Sequence, residues 1–358
     1  MVLRSSRRVA ALGLSFCLAA PAFAQEQQLN LFNWSDYMDP ALIEEFEAET
    51  GIEVVRNYFN SNAEMFSKLT AGGDAQYDII VPSGYFMPRL IGAGLVQPLT
   101  ENDEPLSGRD AILAEFQTPS YDPEGRYTVP YLWGMTGIAY NTEVWPDPTP
   151  SWGLLYDPEV NDDQPFALLK GDAQFTFGTA CAYLGFGFDC VGQEPWVEAA
   201  KLVRETNKRD NFVGFVDATA TIEQLAQGTI QAGIAYNGDL ANKLAESEET
   251  YGKIGFFIPE EGSQRWVDVL AIPARAPHPD AARAFIDFML RPEVAARLAN
   301  YNRYTTPNEK ALELVDAALR EPPVMPDEQT RQRLVSTPSV SGEQLQLLQE
   351  LWNEARSR

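Results

Sequence analysis

The chain is predicted to fold as an α/β protein, and three observations lead to that prediction. Strand-like apolar runs alternate with amphipathic helical runs from residue 29 onward, the run at residues 77–82 is rich in β-branched residues, and the connections are short. This order is typical of β-α-β units with a parallel sheet, because parallel strands need a long crossover. A length of 358 residues suits two domains, each able to bury its own core.

The first elements carry clear boundary signals. Residues 29–32 alternate apolar and polar side chains, which predicts a short strand. Asp39 followed by Pro40 marks the start of a helix, and Gly51 is placed to end it. Residues 52–59 then form the next predicted strand.

The later elements follow from the same periodicity rules. Two of them, at residues 127–141 and 266–273, are interpreted as strands that cross between the two domains. The predicted order is a helix ending near residue 72, a strand at 77–82, the strand at 127–141, helices at 175–184 and 197–207, a helix–strand pair at 222–239, the strand at 266–273, a helix at 280–289 and two more helices.

The first 24 residues are expected to be an export signal and no part of the fold. A basic segment with three arginines precedes an apolar stretch at residues 9–20. Ala22-Phe23-Ala24 then gives the small-x-small pattern of a signal-peptidase site, so we expect cleavage after Ala24. The apolar stretch is too short to span a membrane.

The charge balance is strongly acidic. The sequence has 51 acidic and 27 basic side chains, for a formal net charge of −24. Such a surface repels nucleic acid and anionic lipid and attracts cations. An acidic proteome or a saline habitat would produce the same charge.

Cysteine and histidine usage favours neither a metal site nor catalysis. Cys181 and Cys190 are close enough in sequence for a local disulfide in an oxidising compartment, and a reduced buried pair is the alternative. His278, in Pro-His-Pro-Asp, is the only histidine, which argues against a Ser-His-acid triad. The sequence contains no phosphate-binding, dinucleotide-binding or zinc-protease motif. We therefore predict no cofactor, no metal and no enzymatic activity.

Four segments place aromatic residues where open α/β sheets bind ligands, at strand carboxyl ends or on a crossover. Three of the four also carry an acid. A carboxylate and an aromatic face together bind an ammonium and its methylene chain. Each residue taken alone fits a core or turn role, so the prediction of a cation site rests on the recurrence. The segments are Trp34-Ser35-Asp36-Tyr37, Ser83-Gly84-Tyr85, Tyr236-Asn237-Gly238-Asp239 and Trp266-Val267-Asp268.

At these residues the chain resembles the periplasmic polyamine-binding proteins of ABC importers, over essentially the whole mature length. The motifs that carry the resemblance are FNWSDY, FEAETGIEVV, YDIIVPSGYF followed by GAGLVQPL, WVDVLAIP and YTTPNEKA. It implies a two-lobed type II solute-binding fold, each lobe a mostly parallel sheet flanked by helices, with crossover strands between them. It also implies a periplasmic monomer that binds a linear polyamine, putrescine or spermidine, and delivers it to an inner-membrane ABC permease.

The resemblance further implies domain boundaries and site residues. The N-terminal lobe would comprise residues 25–133 and 267–310, and the C-terminal lobe residues 134–266 and 311–358. Asp268 and Asp239 would bind one ammonium end, and Asp36 or Asp172 the other. The implied ligand-binding residues are Trp34, Ser35, Asp36, Tyr37, Ser83, Tyr85, Asp172, Tyr236, Asp239, Trp266, Asp268 and Tyr304.

Two features depart from the family pattern. Where the family has a glutamate near the start of the helix after Asp172, an ungapped alignment places Phe175, with Gln174 beside it, so a protein for another cationic or zwitterionic solute is the first alternative. Residues 34–37 resemble the putrescine type whereas Trp266 and Asp172 resemble the spermidine type, so the preferred polyamine is open. An exported carbohydrate-active enzyme that uses two of the acids is the second alternative.

Overall fold

The structure is a computed structural model that describes residues 28–99, 106 and 108–357, so the predicted export signal lies outside the described residues. The strands are β1 Gln28–Trp34, β2 Glu53–Phe59, β3 Ile79–Ile80, β4 Val96–Gln97, β5 Val129–Asn141, β6 Phe166–Leu169, β7 Phe212–Val216, β8 Ala232–Tyr236, β9 Ile254–Phe257, β10 Ser263–Leu270, β11 Ile272–Pro273 and β12 Leu334–Val335. The α-helices are α1 Pro40–Thr50, α2 Asn62–Thr70, α3 Met87–Gly92, α4 Ala114–Gln117, α5 Gly153–Tyr156, α6 Ala173–Tyr183, α7 Gln193–Asn207, α8 Ala218–Ala226, α9 Asn237–Glu246, α10 Glu248–Tyr251, α11 Pro279–Met289, α12 Pro292–Asn302, α13 Glu328–Gln332 and α14 Gly342–Arg356.

The local signals at the first helix are confirmed. The Asp39 side chain accepts a hydrogen bond from the Ala41 N–H at 2.9 Å, and Pro40 is the first residue of α1. Gly51 ends the helix with a φ of 71°, a conformation that glycine adopts without strain, and its N–H donates to the Glu47 carbonyl.

A parallel sheet of three strands is formed by the first β-α-β units. Its order is β2-β1-β3, with β1 paired to both neighbours. β3 is shorter than the strand predicted at 77–82, although the Asp78 and Val81 N–H groups still donate to β1 at 2.8 and 3.2 Å. Ile80 and Ala271 exchange two hydrogen bonds of 3.0 Å, which brings the end of β10 and the start of β11 alongside this sheet.

The second sheet has seven strands in the order β12-β10-β5-β8-β6-β7, with β9 also paired to β5. Strands β6, β7 and β8 are parallel, as β-α-β units require. The long strands β5 and β10 pair antiparallel with each other, and β5 pairs antiparallel with β8. β5 and β10 are the two segments that were predicted to cross between domains.

The apolar core consists of two large buried clusters and one small one. The first large cluster draws on residues between 29 and 135 and between 258 and 324. The second draws on residues between 138 and 234 and between 340 and 355. Residues 311–324 therefore pack with the first cluster, because Ala311, Val315 and Val324 bury their side chains there.

A disulfide joins Cys181, near the end of α6, to Cys190 in the following loop, with the Cα atoms 6.3 Å apart. His278 begins the turn before α11, and its Nδ1 lies 3.1 Å from the buried Asp78 carboxylate. Both observations agree with the sequence-based interpretation, which gave these residues structural roles.

Candidate functional site

Three of the predicted acids come together from three different elements. Asp268 lies on β10, Asp239 lies in the first turn of α9, and Asp172 immediately precedes α6. Burial raises the pKa of each carboxyl above its ordinary value. All three act on Tyr236, and Asp268 is buried while Asp172 and Asp239 are half-buried. Removing three neighbouring carboxylates from water is costly without a counter-charge, which points to a cationic ligand.

Asp268 is the most perturbed of the three. Its Oδ1 accepts a hydrogen bond of 2.8 Å from the Ser83 hydroxyl, in an isolated antiparallel bridge between the two residues. Burial raises the pKa of Asp268 to about 7, and the Ser83 hydroxyl and the nearby Tyr37 hydroxyl act in the opposite direction. These hydroxyl donors thus partly offset the effect of burial and stabilise the carboxylate form of Asp268.

Asp239 and Asp172 each accept a hydrogen bond from a tyrosine hydroxyl. Tyr304 and Thr219 donate hydrogen bonds to the two oxygens of Asp239, the Thr219 bond at 2.7 Å. Asp172 Oδ1 accepts from the Phe175 N–H at 2.9 Å and so caps α6, while Oδ2 accepts from the Tyr85 hydroxyl at 3.3 Å. Each carboxylate therefore still has lone pairs with which it can accept hydrogen bonds from a ligand in the cleft.

The aromatic residues form a continuous wall around these acids. The Trp266 ring lies 4.8 Å from the Tyr304 ring and 6.0 Å from the Tyr236 ring, both edge to face. Tyr37 extends the wall, with its ring 6.0 Å from that of Tyr304. Burial raises the pKa of all three tyrosines, so their hydroxyls stay protonated, and that of Tyr304 donates to Asp239.

Two other buried acids have their charge balanced within the protein. Asp74 forms two short bonds with Arg275, and Asp122 accepts hydrogen bonds from a turn of backbone N–H groups. By contrast, none of Asp172, Asp239 and Asp268 forms a salt bridge with any residue that the structure describes; Lys243 only lowers the pKa of Asp239 from a distance.

A cavity of about 280 Å³ adjoins this cluster. Tyr85 and Trp266 form its inner wall, and Ser120 and Ser339 lie at its exposed rim. Two aromatic residues of the site thus line a cavity that opens to solvent, and Arg265 also lines it.

Not every predicted residue joins the cluster. Ser35 and Asp36 are exposed, and Asp36 has a φ of 53° in a turn. Trp34 packs against Phe59 at 4.5 Å, and its Nε1 donates to the Val81 carbonyl at 2.8 Å. Within the described residues, none of these three is hydrogen-bonded to Asp172, Asp239 or Asp268.

Phe175 occupies the core and not the cleft. It is 1% exposed, and its ring contacts those of Trp152 and Phe188 at 6.3 and 5.5 Å. Gln174 beside it donates to the Pro338 carbonyl at the cavity wall. At the start of α6, the acid available to a ligand is thus Asp172.

Three residues that the sequence analysis did not assign to the site contact its side chains or leave room for them. Gly134 and Gly238 leave room for Trp266 and Tyr304, because a Cβ at either glycine would lie 2.3 Å from the facing ring. Asn62 contacts both Ser83 and Tyr85. The helix-starting Ser61 and the Asn-Gly step at 237–238 were visible in the sequence, but nothing there indicated which side chains they would meet.

Two searches of the described residues bear on other site types. No group of three or more His, Cys, Asp or Glu side chains in residues 28–99, 106 and 108–357 is arranged to hold a metal ion. In the same part of the chain, no helix combines the length and apolarity needed to cross a membrane.

Comparison with known proteins places the chain in a family. A family model described as bacterial extracellular solute-binding protein matches residues 41–326. The chain is 30% identical over 378 residues to the putrescine-binding periplasmic protein SpuD of Pseudomonas aeruginosa, covering all of both chains. It is 32% identical over 324 residues to the putrescine-binding periplasmic protein PotF of Escherichia coli, covering 87% of this chain and 86% of that one.

A solved structure agrees with this placement. The spermidine/putrescine ABC transporter substrate-binding protein PotD of Streptococcus pneumoniae superimposes with a TM-score of 0.77 at 28% identity, covering 92% of this chain and all of that one. The two-lobed type II fold implied by the sequence motifs is thereby confirmed. The chain belongs to the bacterial extracellular solute-binding protein family.

Proposed function

We propose that this protein captures a linear polyamine, putrescine or spermidine, outside the cytoplasmic membrane and delivers it to an inner-membrane ABC permease. The observation that carries the proposal is the cluster of Asp172, Asp239 and Asp268, one buried and two half-buried carboxylates without a salt-bridge partner among the described residues, set in an aromatic wall. The names of SpuD, PotF and PotD support the same ligand class.

The chemistry of the cluster suits a diamine with an apolar middle. Carboxylates form short, charge-assisted hydrogen bonds with ammonium groups, and aromatic faces hold both the cation and its methylenes. Asp268 and Asp239 would hold one ammonium, with Asp172, or Asp36 after a local movement, at the other end. The adjoining cavity of about 280 Å³ would admit a longer chain.

Closure of two lobes over the ligand would complete the site. We place residues 25–133 and 267–310 in the N-terminal lobe and residues 134–266 in the C-terminal lobe. The buried clusters support this division, and they favour adding 311–325 to the N-terminal lobe and 340–358 to the C-terminal one.

Two hydrogen bonds would then link the lobes across the cleft, Tyr85 to Asp172 and Tyr304 to Asp239. Excluding water at this point strengthens each ion pair with the ligand, because the local dielectric constant falls.

The remaining parts of the proposal follow from the family. The mature protein would be a periplasmic monomer, released by cleavage after Ala24, that binds without transforming its ligand. Membership of a solute-binding family and the periplasmic relatives support this.

A thermal-shift panel tests the ligand class. Putrescine, spermidine and cadaverine would be compared with betaine, γ-aminobutyrate and a neutral disaccharide on the mature chain. A polyamine at ~100 times its dissociation constant should add about 2.7 kcal/mol to the free energy of unfolding. Stabilisation by betaine or an amino acid but by no polyamine would contradict the proposal, and hydrolysis of a glycoside would favour the enzyme alternative.

A further inference from the structure

Asn62 links the two hydroxyl groups that reach the acids of the site. It is buried at the first position of α2, outside the residues that the sequence assigned to ligand binding. Its Oδ1 accepts a hydrogen bond from the Ser83 N–H at 3.1 Å. Its Nδ2 donates to the Ser83 Oγ at 3.2 Å and to the Tyr85 Oη at 3.5 Å.

The orientation of the Asn62 amide is fixed by this arrangement. A backbone N–H can only donate, so the amide atom that faces the Ser83 N–H must be the oxygen. The NH₂ group then faces the two hydroxyls and has one hydrogen for each. An inverted amide would set its NH₂ against the Ser83 N–H and leave a buried donor without an acceptor, at a cost of a lost hydrogen bond.

The fixed amide in turn decides where each hydroxyl hydrogen points. A hydroxyl has a single hydrogen, and Ser83 and Tyr85 both accept from Asn62. Each is therefore left to donate forward, Ser83 to Asp268 Oδ1 at 2.8 Å and Tyr85 to Asp172 Oδ2 at 3.3 Å. A continuous series of hydrogen bonds thus runs from Asp268 through Asn62 to Asp172.

We propose that Asn62 is a positioning residue of the ligand site, whose amide forces Ser83 and Tyr85 to donate to Asp268 and Asp172 and so keeps both acids as ionised acceptors for an ammonium group. The part of this inference that concerns the ammonium rests on the proposed function. The direction of donation does not, because it follows from the contacts of Asn62 alone.

The groups around Asp268 can be followed separately while it titrates. The nearest are the hydroxyls of five tyrosines whose pKa values are all raised by burial, so they stay neutral between about pH 5 and pH 9. Those tyrosines are Tyr37, Tyr121, Tyr131, Tyr236 and Tyr304, and Arg265 acts on Tyr121. The carboxyls of Asp172 and Asp239, which act on Tyr236 together with Asp268, also titrate, so their midpoints are recorded in the same experiment.

The first test follows the Asp268 carboxyl by carbon-13 NMR in the ligand-free mature chain. In Asn62→Ala both hydroxyls are free to turn away, so the titration midpoint of Asp268 should rise by about one pH unit. Asn60→Ala is the matched control, because Asn60 is exposed in the same turn and bonds only to Glu64. A midpoint in Asn62→Ala equal to that of Asn60→Ala would overturn the proposal.

Asn62→Leu separates donation from shape. Leucine has nearly the size of asparagine, can neither donate nor accept a hydrogen bond, and adds no charge near Asp268. The Asp268 midpoint should rise as in Asn62→Ala; a wild-type midpoint would mean that Asn62 merely fills space, and would reject the proposal.

Calorimetry with putrescine supplies the functional readout. The affinity deficit of Asn62→Ala should be at least about fivefold larger near pH 6 than near pH 8.5, because protonated acids cannot bind ammonium. An equal deficit at both pH values would indicate a packing role and would count against the proposal. A wild-type chain that fails to bind putrescine would reject the proposed function, and the NMR midpoint would still decide the role of Asn62.

Discussion

Gly238 lies so close to Tyr304 that a Cβ atom at this position would be 2.3 Å from the tyrosine ring. The absent side chain lets Tyr304 lie against the first turn of α9 and donate its hydroxyl hydrogen to Asp239. Helix α9, the aromatic wall and the acid are thus held together at one point.

We predict that Gly238→Ala displaces Tyr304 and lowers the affinity for putrescine by about tenfold, roughly 1.4 kcal/mol. Alanine favours a helix over glycine by up to ~1 kcal/mol, so the fold should be retained. Gly92→Ala, in α3 with no atom within 4 Å of the added Cβ, is the matched control and should bind like wild type. Calorimetry measures the putrescine affinity of both variants. Equal affinities would show that Tyr304 can move aside without loss of binding, and would contradict the prediction.

Asp268→Asn should weaken binding of putrescine by at least about a hundredfold. The substitution keeps the shape of the side chain but leaves a desolvated ammonium without its counter-charge. Breaking a buried ion pair in this way typically costs about 3–5 kcal/mol. Asp110→Asn, on a side chain that is 80% exposed, should bind like wild type. Near-wild-type calorimetry for Asp268→Asn would remove Asp268 from the site.

The pKa of Asp268 predicts opposite effects of pH on stability and on binding. Burial raises the pKa from an ordinary value of 3.8 to about 7, so between these values the folded chain binds more protons than the unfolded chain. The contribution of Asp268 to the free energy of unfolding is therefore largest below about pH 4 and decreases as pH rises toward 7. Affinity for an ammonium ligand should increase over the same interval, because the carboxylate form binds it.

The measurement is the difference between wild type and Asp268→Asn in urea unfolding from pH 5 to pH 8, with putrescine affinity recorded in parallel. The difference isolates Asp268 from surface acids such as Asp327, whose pKa is lowered by hydrogen bonds to Thr330 and which act in the opposite sense. Parallel pH curves for wild type and variant would mean that Asp268 does not titrate in this range.

Loss of the Cys181–Cys190 disulfide should lower stability without affecting the ligand site. The bridge closes a loop with a sequence separation of 9, for which chain-entropy estimates give about 2–3 kcal/mol. Asp172 lies at the opposite end of α6, so putrescine affinity should stay within about twofold. Urea unfolding and calorimetry on Cys181→Ser/Cys190→Ser check both parts, and a large affinity loss would show that the loop and the cleft are coupled.

Local sequence was sufficient for elements whose determinants are near neighbours. Asp39, Pro40 and Gly51 bound α1 because capping depends on residues within one helical turn. The aromatic–acid pairs at strand ends could also be recognised, since parallel strands deliver their carboxyl ends to one edge. The fold class and most of the cluster followed from these two kinds of signal.

The departure at Phe175 shows where such reasoning stops. An alignment places this residue where the family has an acid, but only the packing with Trp152 and Phe188 shows that the ring lies in the core. Burial of a side chain depends on elements distant in the chain, and no local pattern encodes it.

By itself, the sequence determined the α/β class and the boundaries of α1, and it indicated the chemistry of the proposed ligand site. Tertiary structure alone decided which acids share the cleft, because Asp172, Asp239 and Asp268 are brought together from α6, α9 and β10. It also left Asp36 exposed and made Asn62 the link between Ser83 and Tyr85. The reason is physical: desolvation and hydrogen-bond direction arise from contacts between residues far apart in the chain, and they exist only once those contacts form.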